Sequence, residues 1–280
     1  MKKTIFLCAF VALLCASCKK DSSNEPTNVQ THQVTFRVPS LMVETEPMSA
    51  PRKVAPLTDD DGQQMTDLFL FDGATQIAHQ TNAEAEFGTI TVLLTAGTHH
   101  MHFIATRSTG LSYDEGILNC TSLRPTFGKH YDLNVTGGSD ENISLDRLTG
   151  QVVVTIEDEI PTGASQLRIQ FGDYYKGLNP TTFAATRSGA FDQTVNISGK
   201  VGLTDQCWTL NILVPTYASE SNTTFTLTAT NTGGDIIGQA TGTMTINSNT
   251  KTLLHGNLFK GTRSFLSLTT AWNAEEEVNF

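Results

Sequence analysis

Apolar and polar residues alternate with a period of two along most of this chain. Val34, Phe36 and Val38 alternate with Gln33, Thr35 and Arg37, the pattern of a strand with one buried face. Met65 to Phe71 reads as a second strand, Asp72-Gly73 as a hairpin turn, and Ala74 to Gln80 as the returning strand. Gly88 to Leu94 alternates again, Gly97 takes a turn, and Thr98 to Thr106 returns with Met101, Phe103 and Ala105 on one face. His130 to Val135 and Ile143 to Leu145 are shorter predicted strands, split by Gly137-Gly138.

Turns and strands start afresh at Leu148-Thr149-Gly150. Val152, Val154 and Ile156 alternate, and Leu167, Ile169 and Phe171 form the next strand. Phe191 to Ile197, Trp208 to Val214 and Thr223 to Thr230 follow, then a Gly233-Gly234 hairpin, Ile236 to Ile246, Lys251 to Phe259 and a last short strand at Phe265 to Leu268. Strands spaced about ten residues apart, with Gly, Asn and Asp between them, predict sandwiches. The chain is therefore expected to be all-β, with two β-sandwich domains in tandem, residues 31–147 and 148–280. A single large barrel is the alternative, and no short exact repeat points to a propeller or solenoid.

The first residues break the pattern. Lys2 and Lys3 precede an apolar run from Ile5 to Leu14, too short to cross a hydrocarbon core of about 30 Å as a helix. It fits the apolar region of a signal peptide. Ala16-Ser17-Cys18 then forms a lipobox, with cleavage expected between Ser17 and Cys18 and lipid on the Cys18 thiol. Residues 1–17 are the expected leader and 18–30 a polar tether. Several acyl chains at about 0.8 kcal/mol per buried CH₂ give stable anchoring where one chain is marginal. A redox reading of Cys15 and Cys18 is disfavoured, because no βαβ pattern follows.

Composition narrows the function classes. The 280 residues are 39 % hydrophobic and 16 % charged, with a net charge of −10. A disordered chain would be more charged or richer in proline, and no heptads suggest a coiled coil. Without a basic stripe, an acidic chain is a poor binder of nucleic acid, whose affinity comes chiefly from phosphate contacts.

The search for chemistry finds little. GxSxG, HExxH and the phosphate-loop motif are all missing. His99, His100 and His102 are the best metal candidates, with His100 and His102 on one strand face and His99 on the other. No carboxylate or cysteine stands at ligand spacing beside them, so they are expected to face solvent. Asp59-Asp60-Asp61-Gly62 lacks the spaced oxygens of a calcium loop and reads as a turn. Five Asn-x-Ser/Thr matches, at Asn119, Asn134, Asn142, Asn196 and Asn222, are expected by chance in Asn- and Thr-rich strands. Tyr174-Tyr175, Trp208 and Trp272 could stack on sugars, but packing explains them better. Cys120 and Cys207 read as separate thiols, a bridge being the less favoured option. No catalytic residue, metal or cofactor is assigned.

Several segments taken together resemble the fimbrillin-associated anchor family, lipoproteins at the base of fimbriae in Bacteroidetes-type anaerobes. They are Met65 to Gly73, Phe87 to Ile90 with Leu94 to His99, Leu145 to Val152, Asp158 to Pro161, and Gly256 to Gly261. With the lipobox, the match runs from about residue 30 to 275. The resemblance implies two transthyretin-like sandwiches and an anchor or accessory subunit of a pilus at the outer membrane, partnered by fimbrial pilin subunits. It implies no catalytic residues.

Pili of this kind assemble by strand exchange, in which a sandwich lacking an edge strand accepts one from a neighbour. Similar pilins lose an N-terminal strand by cleavage after a basic residue. Here Arg52-Lys53 lies in the loop-like stretch between Met48 and Leu57, and reads better as a solvated pair in a Pro-bounded loop than as a cleavage site. An anchor should keep its strand at Gln33 to Val38. At the other end Phe265, Leu266 and Leu268 precede Trp272 and the acidic Glu275-Glu276-Glu277. Two readings of that tail stand level: a strand donated to a pilin, or the last strand of the chain's own second sandwich. The alternative function is a cell-surface glycan-binding lipoprotein of a nutrient-uptake system, marked by exposed coplanar Trp and Tyr rings.

Overall fold

The structure, a computed structural model, describes residues 29–39, 57–58, 62–214, 221–260 and 265–271. Strands dominate these residues, and the helical content among them is a short 3-10 turn at Ser198–Lys200.

The first half contains β1 (Thr31–Arg37), β2 (Asp67–Asp72), β3 (Thr75–Thr81), β4 (Thr89–Thr95) and β5 (Gly97–Thr106). A small hairpin, β6 (Ser112–Asp114) and β7 (Ile117–Asn119), precedes β8 (Thr126–Val135), β9 (Ser139–Asn142) and β10 (Asp146–Arg147). The second half contains β11 (Thr149–Ile156), β12 (Ala164–Leu178), β13 (Ala185–Asn196), β14 (Gln206–Leu213), β15 (Ser221–Asn231), β16 (Ile236–Ile246), β17 (Thr250–Gly256) and β18 (Phe265–Ala271).

Period-two alternation is what makes two packed layers. In the first half the sheet β4-β1-β9 faces the sheet β10-β8-β5-β2-β3. Val34, Phe36 and Ile90 from one layer close on Leu68, Leu70, Met101 and Phe103 from the other, and Phe36 meets Phe103 edge-on at 5.2 Å. In the second half Val152, Val154, Ile212 and Leu254 close on Leu167, Ile169, Phe225 and Leu227.

The two halves share one topology. The order β4-β1-β9 opposite β8-β5-β2-β3 recurs as β14-β11-β17 opposite β16-β15-β12-β13. In both, the first strand is central, antiparallel to one neighbour and parallel to the other. Gly73, with φ 54, makes the β2–β3 turn, a backbone region that suits glycine.

Some elements differ from the sequence expectation. Ile143 to Leu145 is not a strand: Ile143 and Leu145 are buried, and the Ile143 amide donates to the Arg37 carbonyl at 2.8 Å. Their apolar side chains serve core packing rather than a ladder. The hairpin β6–β7 was not anticipated. It belongs by sequence to the first half, yet Leu118 pairs with Leu178 and Asn119 with Gly177 of β12. The backbone itself passes between the halves at Leu148, which is buried between β10 and β11.

Candidate functional site

The strands relevant to assembly lie at the two ends of the chain. β1 pairs along its whole length with β4, from Thr31↔Thr95 to Arg37↔Thr89. On its other side it runs parallel to β9, from Val34↔Ser139 to Arg37↔Asn142. Val34 and Phe36 have no exposed surface. β1 thus fills the centre of its sheet, and its side chains fill the core beneath. Val29, just before it, is exposed. Ser17 and Cys18 lie outside the described residues, as do Arg52-Lys53, Asp59-Asp60-Asp61 and Trp272.

Phe265, Leu266 and Leu268 fall on β18, antiparallel to β17, with Phe265↔Gly256, Leu266↔His255 and Leu268↔Leu253 in register. The Phe265 ring meets Phe225 of the facing sheet edge-on, with centroids 6.3 Å apart. β18 is the outermost strand of its sheet. The turn leading to it is clamped by Asp158, a buried carboxylate. Asp158 accepts the backbone amides of Leu258, Phe259 and Lys260 at 3.0, 2.7 and 2.7 Å. Three consecutive amides converging on a carboxylate form an anion nest, here filled by the chain's own side chain.

The three histidines of β5 are dispersed rather than gathered. His99 Nδ1 lies 2.6 Å from Asp72, and this hydrogen bond raises the His99 pKa above its ordinary value. His100 sits at 2.7 Å from Asp132 on the surface. His102 departs from the expectation of solvent exposure: it is only 8 % exposed. The outer face of its sheet, expected to meet water, is covered by other parts of the chain. Among the described residues no group of three or more His, Cys, Asp or Glu is arranged to hold a metal.

What covers that face was not read from the sequence. A row of rings crosses β2, β5 and β8 in register, Phe71↔His102↔His130. Tyr113 of the β6–β7 hairpin meets Phe71 at a tilt of 59° with centroids 5.0 Å apart, and its hydroxyl donates to the Ala74 carbonyl at 2.8 Å. His102 meets His130 edge-on at 4.6 Å. Phe183, from the β12–β13 loop of the second sandwich, lies 3.9 Å from the His130 ring. Phe69, Phe71 and Ile104 of the first sandwich thereby join the core of the second. The available signal was the unbroken apolar run Leu68-Phe69-Leu70-Phe71, since a strand buried on both faces loses its alternation.

Of the aromatic residues considered for sugar stacking, Tyr174, Tyr175 and Trp208 are engaged in packing. Tyr174 is buried and meets Phe191 edge-on at 4.9 Å, and burial pushes its pKa up to about 12. Trp208 is partly buried against the core, with the Lys200 ammonium 5.7 Å above its ring. Cys120 and Cys207 are free thiols. Cys120 donates to the Lys176 carbonyl at 3.3 Å, whereas Cys207 is exposed and does not behave as a buried apolar group.

No family model matches the sequence, and no curated protein matches it. Solved structures share its fold. A candidate cell adhesion protein from Bacteroides ovatus superposes with a TM-score of 0.50 at 8 % identity, over 89 % of this chain and 99 % of that one. The tip fimbrial protein Mfa3 from Porphyromonas gingivalis, truncated at its C-terminus, gives 0.46 at 11 % identity, over 87 % of this chain and 100 % of that one. The fimbrial anchor protein Mfa2 from the same organism gives 0.43 at 11 % identity, over 87 % and 98 %. At these identities the likeness is one of fold.

Proposed function

We propose that this chain is a lipid-anchored fimbrial subunit that holds a pilus at the outer membrane and joins pilin subunits by β-strand exchange. The carrying observation is the relation between Cys18 and β1. The lipobox cysteine precedes Thr31 by a short polar tether, and β1 is the central strand of its sheet. Cleavage at Arg52, beyond β1, would release the body from its lipid and, by taking β1 away with it, open the sandwich. With β1 in place, Val34 and Phe36 occupy the sites that a donated strand would need. The fold shared with a candidate cell adhesion protein agrees with a surface role.

The C-terminal segment is the proposed donor. Phe265, Leu266 and Leu268 lie on an outermost strand, so leaving its sheet breaks one ladder rather than two. A subunit that donates but does not accept would anchor a pilus and end its growth at the base. Residues 31–147 and 148–280 are the two proposed domains.

Cys18→Ser tests the anchoring. The expected result is a soluble subunit without palmitate label, and pili shed into the medium. Membrane partition with undiminished label in that variant would overturn it. Removing residues 272–280, which spares β18, should leave pilin capture intact, while removing residues 265–280 should abolish it. Undiminished capture by the shorter chain, shown folded by its unaltered first sandwich, would exclude the donor role.

A further inference from the structure

His102 lies at the middle of the ring row that joins the sandwiches, and it is a buried imidazole whose Nδ1 has no hydrogen-bond partner. On one side is Phe71, on the other His130. Beyond His130 sits the loop between β12 and β13, folded into a tight clasp. Within it the Phe183 amide donates to the Asn179 carbonyl at 2.8 Å, and the Asn179 amide to Ala184 at 2.8 Å. The Asn179 side-chain oxygen accepts from the Thr181 amide at 2.9 Å and its hydroxyl at 2.7 Å. Phe183 has φ 55, a left-handed conformation that a bulky residue adopts only when its surroundings impose it. What imposes it is the burial of its ring against the first sandwich.

We propose that His102 makes this junction acid-sensitive, so that a proton on its ring releases the Asn179–Ala184 clasp, and Phe183 with it, from the face of the first sandwich.

The charges around His102 set the direction. His100 on its own strand and His130 on β8 oppose a proton, while Asp132 on β8 and Asp72 on β2 favour one. The clasp contributes the Phe183 ring and the Pro180 carbonyl, which accepts a hydrogen bond from His130. The β6–β7 hairpin contributes Tyr113, tilted against Phe71. Burial outweighs the carboxylates and, together with the two neighbouring imidazoles, holds His102 below the ordinary histidine value. Burial lowers His130 as well.

A base whose pKa is depressed in the closed form favours that form fully above its free value of about 6.5. The preference is lost as pH falls from there towards the depressed value. Each such proton changes the open-to-closed ratio by up to about tenfold per pH unit, so the pair reaches about a hundredfold. A cation on His102 stands against the very ring that holds Phe183 and Pro180. The pairing of β7 with β12 does not involve these rings, so the sandwiches stay joined while the clasp lifts.

The test is amide hydrogen exchange on the full chain, corrected for intrinsic rates, from about pH 7.5 to about pH 5. The amides of Thr181, Phe183 and Ala184 should lose protection below about pH 6.5, by up to about tenfold per pH unit for each of the two histidines. Val152 to Ile156 should keep theirs. His102→Met should reduce the slope to the share carried by His130, and His130→Gln, which keeps a donor for Pro180, should reduce it to the share carried by His102. If His102→Met does not fold, the unmodified chain decides alone. Constant protection of the clasp across the range, or the same loss in His102→Met, would overturn the proposal.

Discussion

Gly128 and Phe183 fit each other so closely that the glycine has no room for a side chain. A Cβ on Gly128 would stand 2.8 Å from Phe183 Cζ, 2.9 Å from Leu148 Cδ1 and 3.0 Å from the Phe103 carbonyl. The glycine on β8 is therefore the slot that seats a ring from the other sandwich. Gly128→Val should cost roughly 1–3 kcal/mol by overpacking, and Phe183→Ala roughly 3–5 kcal/mol by the cavity it leaves, offset in part by relief of its backbone strain. Both are read from denaturant midpoints. A neutral Gly128→Val would show that the slot is looser than its contacts imply.

Asp158 should be one of the costliest surface-proximal residues to replace. Asp158→Ala leaves three amides of the turn before β18 without their acceptor, a loss of roughly 2–4 kcal/mol. Asp158→Asn, which keeps one oxygen, should lose less. Thermal unfolding of both variants checks the order.

His99 should titrate above the ordinary range. Its hydrogen bond to Asp72 raises the pKa, so the stabilisation from this pair is present below about pH 6.5 and fades as pH rises through the raised value. The imidazole resonance of His99 should shift its midpoint downwards in Asp72→Asn. This trend runs opposite to that of His102, and separate resonances distinguish them.

Protease should leave the passage between the halves intact. Ile143, Leu145, Leu148 and Arg147 are all buried, and Thr149 has no exposed surface. Limited digestion that cut within residues 145–150 before any other described segment would contradict this burial.

The legible parts of the fold were those written as clean alternation. Val34 and Phe36, Val152 to Ile156, and Leu167 to Phe171 each carry one buried face, and each is a strand. The illegible parts were those where a second burial erases the alternation. Phe69 and Phe71 point away from the first core and join the second, with Tyr113 of the hairpin at Ser112–Asn119 against Phe71. Those partners come from distant stretches, and β6 and β7 are too short to have a period. His102 was misjudged for the same reason, because its face is polar by sequence position and covered by tertiary packing. At the candidate assembly strands, local pattern located β1 and β18 but could not tell that β1 is central in its sheet and β18 outermost. That depends on pairing across more than fifty residues, as in Phe36↔Ile90.

The β6–β7 hairpin also governs how tension passes through the molecule. A pull between the halves does not rest on the single peptide run at Leu148. It divides between that run and the pairs Leu118↔Leu178 and Asn119↔Gly177, with the Tyr113 ring wedged on Phe71 as a third point of purchase. The two sandwiches are thus laced together by a hairpin that the first half lends to the sheet of the second. Stretching one away from the other must tear a sheet rather than straighten a linker, which makes the pair behave as a stiff strut under load.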